Sequence, residues 1–302
     1  MVVGVTYAAG IGLASLAAFA SALYFLCVRL GTDNGRVLDV VLVSLIVNVI
    51  LIVPLVGVIY GIPHVTVGSI LAFAGAGLAG SFLARLLMTE SIDAIGASRT
   101  APVVASNVLF ASLLAVLIFG EQISTLHLLG IVCIVAGVAA ITWEMSRDSH
   151  APDSLRDLGL TLMLPIGAAV LIGVEPILVT IGLNEGTAVL PGVAIKGVAA
   201  TTGFVSYLII TRALDRGMIR WSQNSKWYVG AGVTSTVAIT AYFAALSVAP
   251  VVIVVPLIQT APLLVLVLSA LFLPQRLERV TGRLVAGATI VVIGATLVSL
   301  FG

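Results

Sequence analysis

Ten runs of predominantly apolar residues, each long enough to cross a bilayer, follow one another along this chain. They cover roughly 8–29, 38–60, 67–90, 96–119, 126–143, 158–182, 187–211, 225–247, 251–273 and 281–300. A segment buried in hydrocarbon must satisfy its own backbone hydrogen bonds, so only helices and closed barrels remain possible. No run alternates with period two, and barrel strands would be about half as long. The sequence therefore predicts an all-α integral membrane protein of ten transmembrane helices. Only 9% of the residues are charged, against about a quarter in a soluble domain, which excludes a soluble enzyme carried on one or two anchors.

The charges are balanced, 14 Lys+Arg against 13 Asp+Glu. That leaves no basic face for nucleic acid, and the partners expected are membrane lipid and a small-molecule solute. Nothing in the chain implies a particular oligomer. Cys27 and Cys133 lie inside separate apolar runs and form neither a disulfide framework nor a metal site. The N-terminus has no basic leader, and its apolar run passes Ala20-Ser21-Ala22 to reach Val28, too long for a secretory signal. It reads as a retained first helix.

The segment 144–157 holds Glu144, Asp148, Asp153, Asp157, Arg147, Arg156 and Pro152, and divides the chain almost at its middle. The expected organisation is a first five-helix repeat at 1–143, this polar linker, and a second repeat at 158–302. The halves resemble each other. Leu30-Gly31-Thr32-Asp33-Asn34-Gly35 returns as Ile181-Gly182-Leu183-Asn184-Glu185-Gly186 at an offset of 151. Gly75-Ala76-Gly77 returns as Gly230-Ala231-Gly232 at 155, and Glu121, Gly130 and Gly137 match Glu278, Gly287 and Gly294 at 157. An odd number of crossings per copy makes the second copy enter from the opposite face, so the repeat is inverted. Inverted repeats meeting near the midplane are an architecture of secondary transporters.

Two stretches carry a family resemblance. Ile95-Gly96-Ala97-Ser98-Arg99-Thr100-Ala101-Pro102, then 113–121 ending in Phe119-Gly120-Glu121, then Gly130 and Gly137, resembles the EamA-type repeat of the drug/metabolite transporter superfamily. Ala244-Ala245-Leu246-Ser247-Val248-Ala249-Pro250, Gln259-Thr260-Ala261-Pro262 and Glu278-Arg279-Val280-Thr281 with Gly287 and Gly294 resembles the same pattern. The family usually has a proline 13 residues before the acidic turn residue. Here Val108 holds that place before Glu121, and Pro262 precedes Glu278 by 16, so Gln275 and Glu278 both qualify as the second acidic-turn position. The resemblance implies a ten-helix carrier of small organic solutes such as amino acids, other metabolites or drugs.

Gly75-Ala76-Gly77-Leu78-Ala79-Gly80 fits the dinucleotide fingerprint, which works only at a strand-to-helix turn. Inside an apolar helix it reads as a small-residue surface for close helix packing. His64, His127 and His150 fall on different turns and cannot share a metal. No nucleophile sits beside a base, and a multi-pass enzyme or lipid-processing protein, the alternative reading, would need an acidic or histidine cluster at one interface. No ATP-binding motif occurs, so the sequence predicts no cofactor and an energy source in protons or an exchanged solute.

Glu175 and Lys196 stand out because each lies inside an apolar run, on successive helices at similar depth from their shared turn. A charge near a helix centre in lipid costs on the order of 3 kcal/mol, so each is expected to pair with the other. Pro176 also leaves the carbonyl of Ile172 without its helical donor. Tyr24, which the repeat aligns with Glu175, and the deep polar residues Asn107, Tyr242, Gln259 and Thr260 complete the candidate solute-binding set; Asn48 is a further deep polar residue. Arg85, Glu90, Asp93 and Arg99 cluster about the third-to-fourth turn, where Glu90 and Arg99 are expected to pair.

Thirteen of the 14 basic residues fall on odd-numbered turns; the exception is Lys196. The positive-inside rule then puts those turns in the cytoplasm of a cell-membrane protein and both termini outside, whereas the family resemblance implies termini inside. A cysteine placed at Ser149 should therefore resist a membrane-impermeant maleimide applied from outside, and one at His64 should react. The opposite pattern would overturn the charge-based orientation.

Overall fold

The computed structural model describes residues 2–32, 37–95, 100, 103–145, 162–211, 225–272 and 282–301. These residues form helices and connecting turns, with no strand among them. Most of the 144–157 linker, Arg99, Gln275 and Glu278 lie outside the described residues. In chain order the elements are α1 (Val2–Thr32), α2 (Val37–Tyr60), α3 (Val67–Ala76), a π-helical segment (Gly77–Leu83), α4 (Ala84–Ile95), α5 (Asn107–Phe119), α6 (Thr125–Met145), α7 (Met163–Asn184), α8 (Val189–Ile210), α9 (Ser225–Leu246), α10 (Val251–Ile258), α11 (Ala261–Phe272) and α12 (Gly282–Phe301).

Among the described residues six helices are long and apolar enough to cross a membrane: Tyr7–Thr32, Asp39–Tyr60, Val67–Ala94, Met163–Asn184, Val189–Ile210 and Lys226–Leu246. Val103–Phe119, Thr125–Ile141, Val251–Val265 and Val285–Val298 are shorter apolar helices. Two of these shorter stretches contain a break, one in each half of the chain. A turn at Ser106 precedes α5, and a turn at Gln259-Thr260 separates α10 from α11. Carbonyls freed by the breaks are met locally. Ser106 Oγ donates to Val103 O at 2.6 Å, Asn107 Nδ2 to Val104 O at 2.7 Å, and Thr260 Oγ1 to Leu257 O at 2.7 Å. Backbone N–H groups reach two of the same carbonyls, Ser106 to Val103 O and Thr260 to Leu257 O, each at 3.1 Å, so the hydroxyls reinforce tight turns that already satisfy the backbone.

Helix ends follow ordinary capping chemistry. Thr66 caps α3 in a reciprocal capping box with Ser69. Gly120 ends α5 at φ 67°, a left-handed conformation that costs glycine nothing, and its N–H bonds Val116 O at 3.0 Å. That turn aims the next residue, Glu121, away from its own helix.

Small residues set the packing between the halves. Helix α6 lies against α12 through two reciprocal glycine contacts. A Cβ on Gly130 would stand 2.8 Å from Gly294 O, and one on Gly294 would stand 2.6 Å from Gly130 O. Gly137 and Gly287 meet the same way, at 2.8 and 3.2 Å. Residue numbers rise along one helix as they fall along the other, so the pair is antiparallel. Each glycine touches the repeat equivalent of its neighbour, the isologous pattern of a two-fold relation. Elsewhere α1 packs on α9 as α7 packs on α3 and α4, and α2 packs on α8. The hydrophobic core centres on α10, whose residues 251–257 are all buried.

Lipid offers helices no hydrophobic incentive to associate, so close backbone approach carries the α6/α12 contact. Gly294→Val should lower stability by about 1–3 kcal/mol, the usual cost of overpacking, read as a lower melting temperature in detergent. Gly57→Ala, where an added Cβ meets nothing within 4 Å, should leave it unchanged. Equal stability of the two variants would contradict a glycine-dependent seam.

Candidate functional site

Glu175 lies nine residues before Asn184, the end of α7, and Lys196 lies seven after Val189, the start of α8. At 1.5 Å per residue this places them about 14 and about 10 Å from the same end, close to mid-helix. Their side chains form an ion pair, with the Lys196 ammonium donating to Glu175 Oε1. The lysine side chain is 2% exposed and the glutamate 14%. The ammonium is thus sealed, and the glutamate is the more exposed of the two side chains.

The floor beneath the pair is the backbone of the π-helical segment. A Cβ on Gly80 would overlap the Glu175 carboxylate, and one on Gly77 would overlap Lys196 O and stand 3.2 Å from Ala200 N. Gly75 holds a looser contact with Leu178, at 3.4 Å. The glycine motif of the third helix therefore lets α7 and α8 come down onto one backbone surface, and π turns of this kind recur at functional sites. Gly80 stands under the Glu175 carboxylate, and Gly77 under the backbone of Lys196.

Aromatic rings cover the lysine. Its Nζ lies 5.4 Å from the centre of the Phe243 ring, within cation–π range. Phe243 stacks on Phe73 with centroids 5.7 Å apart and meets Tyr242 edge-on at 6.1 Å. Tyr242 is half-buried. Beside Lys196, Gly197 makes room for Asn48, whose Oδ1 would lie 2.5 Å from an added Cβ. Asn48 Nδ2 donates to Thr236 Oγ1 at 3.2 Å, a bond from the first half to the second.

Thr236 also borders a cavity of about 340 Å³ between α1, α2, α8 and α9, lined by Leu13, Ile52, Leu55 and Leu190 among others. Its walls are apolar apart from Thr236 and Thr240, and neither member of the ion pair lines it. The hydroxyls of both threonines bond back to their own helix.

The other sequence-derived candidates separate into distinct environments. Tyr24 accepts a hydrogen bond from Arg85 Nη1 at 3.2 Å, and the guanidinium lies 5.8 Å from its ring centre. Arg85 sits ten residues before the end of α4, about 15 Å inside the helix, rather than in the third-to-fourth turn to which the charge count assigns it. Glu90 and Asp93 are exposed, and Ser91 and Thr100 tie their stretch together through hydroxyls 2.7 Å apart. Asn107 and Thr260 serve the helix breaks, and Gln259 caps α10. Among the described residues no hydrogen bond joins those three to Glu175 or Lys196.

Phe73, Phe243, Gly77 and Gly80 are not among the sequence-derived candidates. The spacing of the glycines signals close packing but not what packs there. Two phenylalanines among ten in an apolar chain carry no signal at all.

The chain is similar to known proteins at two levels. The model of the EamA-like transporter family matches twice, at residues 8–143 and 159–300. No curated protein matches. A crystal structure of a protein 14% identical in sequence is similar with a TM-score of 0.72 over 98% of this chain and 95% of the other, a likeness of fold.

Removing one charge of the central pair strands its partner, which should cost about 3–5 kcal/mol, as for other buried pairs. Glu175→Gln and Lys196→Met should each lower the melting temperature in detergent, and the double variant should recover most of the loss. Single variants as stable as the parent would show that the pair does not support the fold.

Proposed function

We propose that this chain, which belongs to the EamA-like transporter family, is a secondary active transporter that moves a small organic solute across the cell membrane by alternating access. The observation that carries this reading is the Glu175–Lys196 pair, set at mid-helix between an aromatic cover and a glycine floor. A structural link between two helices needs neither a partly exposed acid nor a cation under an aromatic ring. A site that trades partners needs both. An amine or a proton takes the exposed side of Glu175, and an acidic or polar group of the solute takes the ammonium that Glu175 then releases. Tyr242, edge-on to Phe243, supplies a hydroxyl for orientation. Asn48 and Thr236 couple the first half to the second beside the lysine.

In this reading the chain crosses the membrane ten times, as two inverted five-helix repeats. The interrupted fourth helices are the discontinuous elements that such carriers bring to their solute path. Tyr24, held by Arg85, takes the place in the first repeat that Glu175 has in the second, and Asn107, Gln259 and Thr260 act through the helix breaks. Odd-numbered turns face the cytoplasm. Energy comes from a proton gradient or from exchange against a second solute.

The test is uptake into proteoliposomes from a panel of amino acids, other metabolites and amphipathic drugs, with and without a pH gradient. The parent should move at least one class. The Glu175→Gln, Lys196→Met double variant should be folded yet inactive, because its titratable group is gone. Full uptake by the folded double variant would remove the pair from the mechanism, and no uptake of any solute by the parent would remove the carrier reading.

A further inference from the structure

The even-numbered turns meet in two pairs, 61–66 with 185–188 and 120–124 with the start of α10 after 247–250. Glu185, just past α7, accepts a hydrogen bond from Thr66 Oγ1 at 2.5 Å. Its other oxygen lies over Gly68 in the first turn of α3, 2.6 Å from where a Cβ would be. Beside it Thr187 Oγ1 donates to Ser69 Oγ at 2.8 Å, in a buried contact. Glu121, just past α5, gives one oxygen to Val251 N–H and the other to Val252 N–H, each at 2.9 Å. His127 Nε2 lies 2.8 Å from Val252 O in the same place.

These carboxylates have a common geometry. Glu185 belongs to the second repeat and holds the start of α3 in the first. Glu121 belongs to the first repeat and holds the start of α10 in the second. Each sits at a helix N-terminus, where the helix dipole favours a negative charge; Glu121 accepts the N–H groups of Val251 and Val252, and Glu185 the hydroxyl of Thr66, the N-cap of α3. Each also spans the boundary between the halves.

One layer deeper an aromatic plug fills the space. The Phe73 ring is fully buried between two glycines, and a Cβ on Gly182 or on Gly192 would stand 2.7 Å from its Cζ. No other residue at those two positions leaves room for the ring. Phe73 stacks on Phe243, which lies against the Lys196 ammonium. From the even-turn face inward the order is carboxylates, aromatic plug, ion pair.

We propose that Glu121, Glu185 and the Phe73–Phe243 stack form the gate between the even-turn face and the central pair: two carboxylate latches, one from each repeat, closed over an aromatic plug. The inference rests on the carrier reading of the central pair. Opening requires each repeat to release the helix start it holds, while contacts inside each repeat stay intact. As the hairpin joining α7 to α8 withdraws, the glycine slot leaves Phe73 and the path to Lys196 opens.

The test uses protein with Cys27 and Cys133 replaced by alanine. In one arm Ser69→Cys and Thr187→Cys are combined, and oxidation should cross-link them; uptake should fall to background and return with reductant. In the other arm Val193→Cys, fully buried beside Gly192, reports opening through maleimide labelling in detergent. Glu121→Gln with Glu185→Gln should speed its labelling about tenfold or more, as loss of charge-assisted hydrogen bonds implies. Glu90→Gln, at an exposed carboxylate, should label at the parent rate. Failure to cross-link, full uptake by cross-linked protein, or unchanged labelling in the double glutamine variant would each overturn the gate. Faster labelling in a protein that moves no solute would uphold the gate and refute the carrier reading instead.

Discussion

An ammonium and a carboxylate at the middle of a bilayer can be kept only as a close pair, and much of this structure follows from keeping them. Each alone costs on the order of 3 kcal/mol at a helix centre by insertion measurements. Bringing them together requires α7 and α8 to sit deep on one surface, and side chains on that surface would hold them off. Gly77 and Gly80 remove the obstacle under Lys196 and Glu175 respectively. The π-helical segment that contains both glycines widens the helix at that level. Phe243 then covers the lysine with a face that attracts a cation and excludes lipid. The glycines, the π turn and the ring are three responses to one electrostatic demand.

The second demand comes from the backbone. Where the helix is broken at Ser106 and at Gln259-Thr260, short polar side chains reach back three residues to the freed carbonyls. The same requirement governs helix starts. Thr66 and Ser69 cap α3 between themselves, and the start of α10, which follows Pro250 and has no side-chain cap of its own, receives both oxygens of Glu121. A carboxylate borrowed from 130 residues away thus completes a helix that its own sequence leaves open.

How much of this is legible in the sequence follows from the same chemistry. A charge inside an apolar run is a strong signal because lipid penalises it, so Glu175 and Lys196 can be singled out and paired from their depth along the chain alone. Apolar length implies helices and glycine spacing implies close packing, for the same reason. Polar residues at depth are harder to sort. Asn107 and Thr260 look alike in sequence whether they face a solute or mend a broken helix, and in the structure they bond to their own backbone. Tyr24 aligns with Glu175 by the repeat, yet its partner is Arg85, a residue the charge pattern assigns to a turn. Phe73 and Phe243 carry no mark in the sequence, since burial of a ring in an apolar chain is the default and only the three-dimensional slot between Gly182 and Gly192 singles one out. Glu121 is a marker of the repeat in sequence, but its role as a cap depends on a contact between halves that spacing along one chain cannot encode.

The two kinds of contact between the repeats differ in how they can be undone. Helices α6 and α12 meet backbone to backbone through four glycines, with carbonyl oxygens where side chains would otherwise stand. Parting them in lipid forfeits packing along the whole seam, and lipid offers the carbonyls no substitute partner. The contacts of Glu121 and Glu185 lie at helix starts, where water can take over each hydrogen bond as it is given up. Packing in lipid resists separation evenly, whereas a few charge-assisted bonds at an interface hold firmly and then release. A molecule with both has a fixed seam and a separable edge. The ion pair belongs to neither kind: it ties α7 to α8 within the second repeat, over the π-helical backbone of the first.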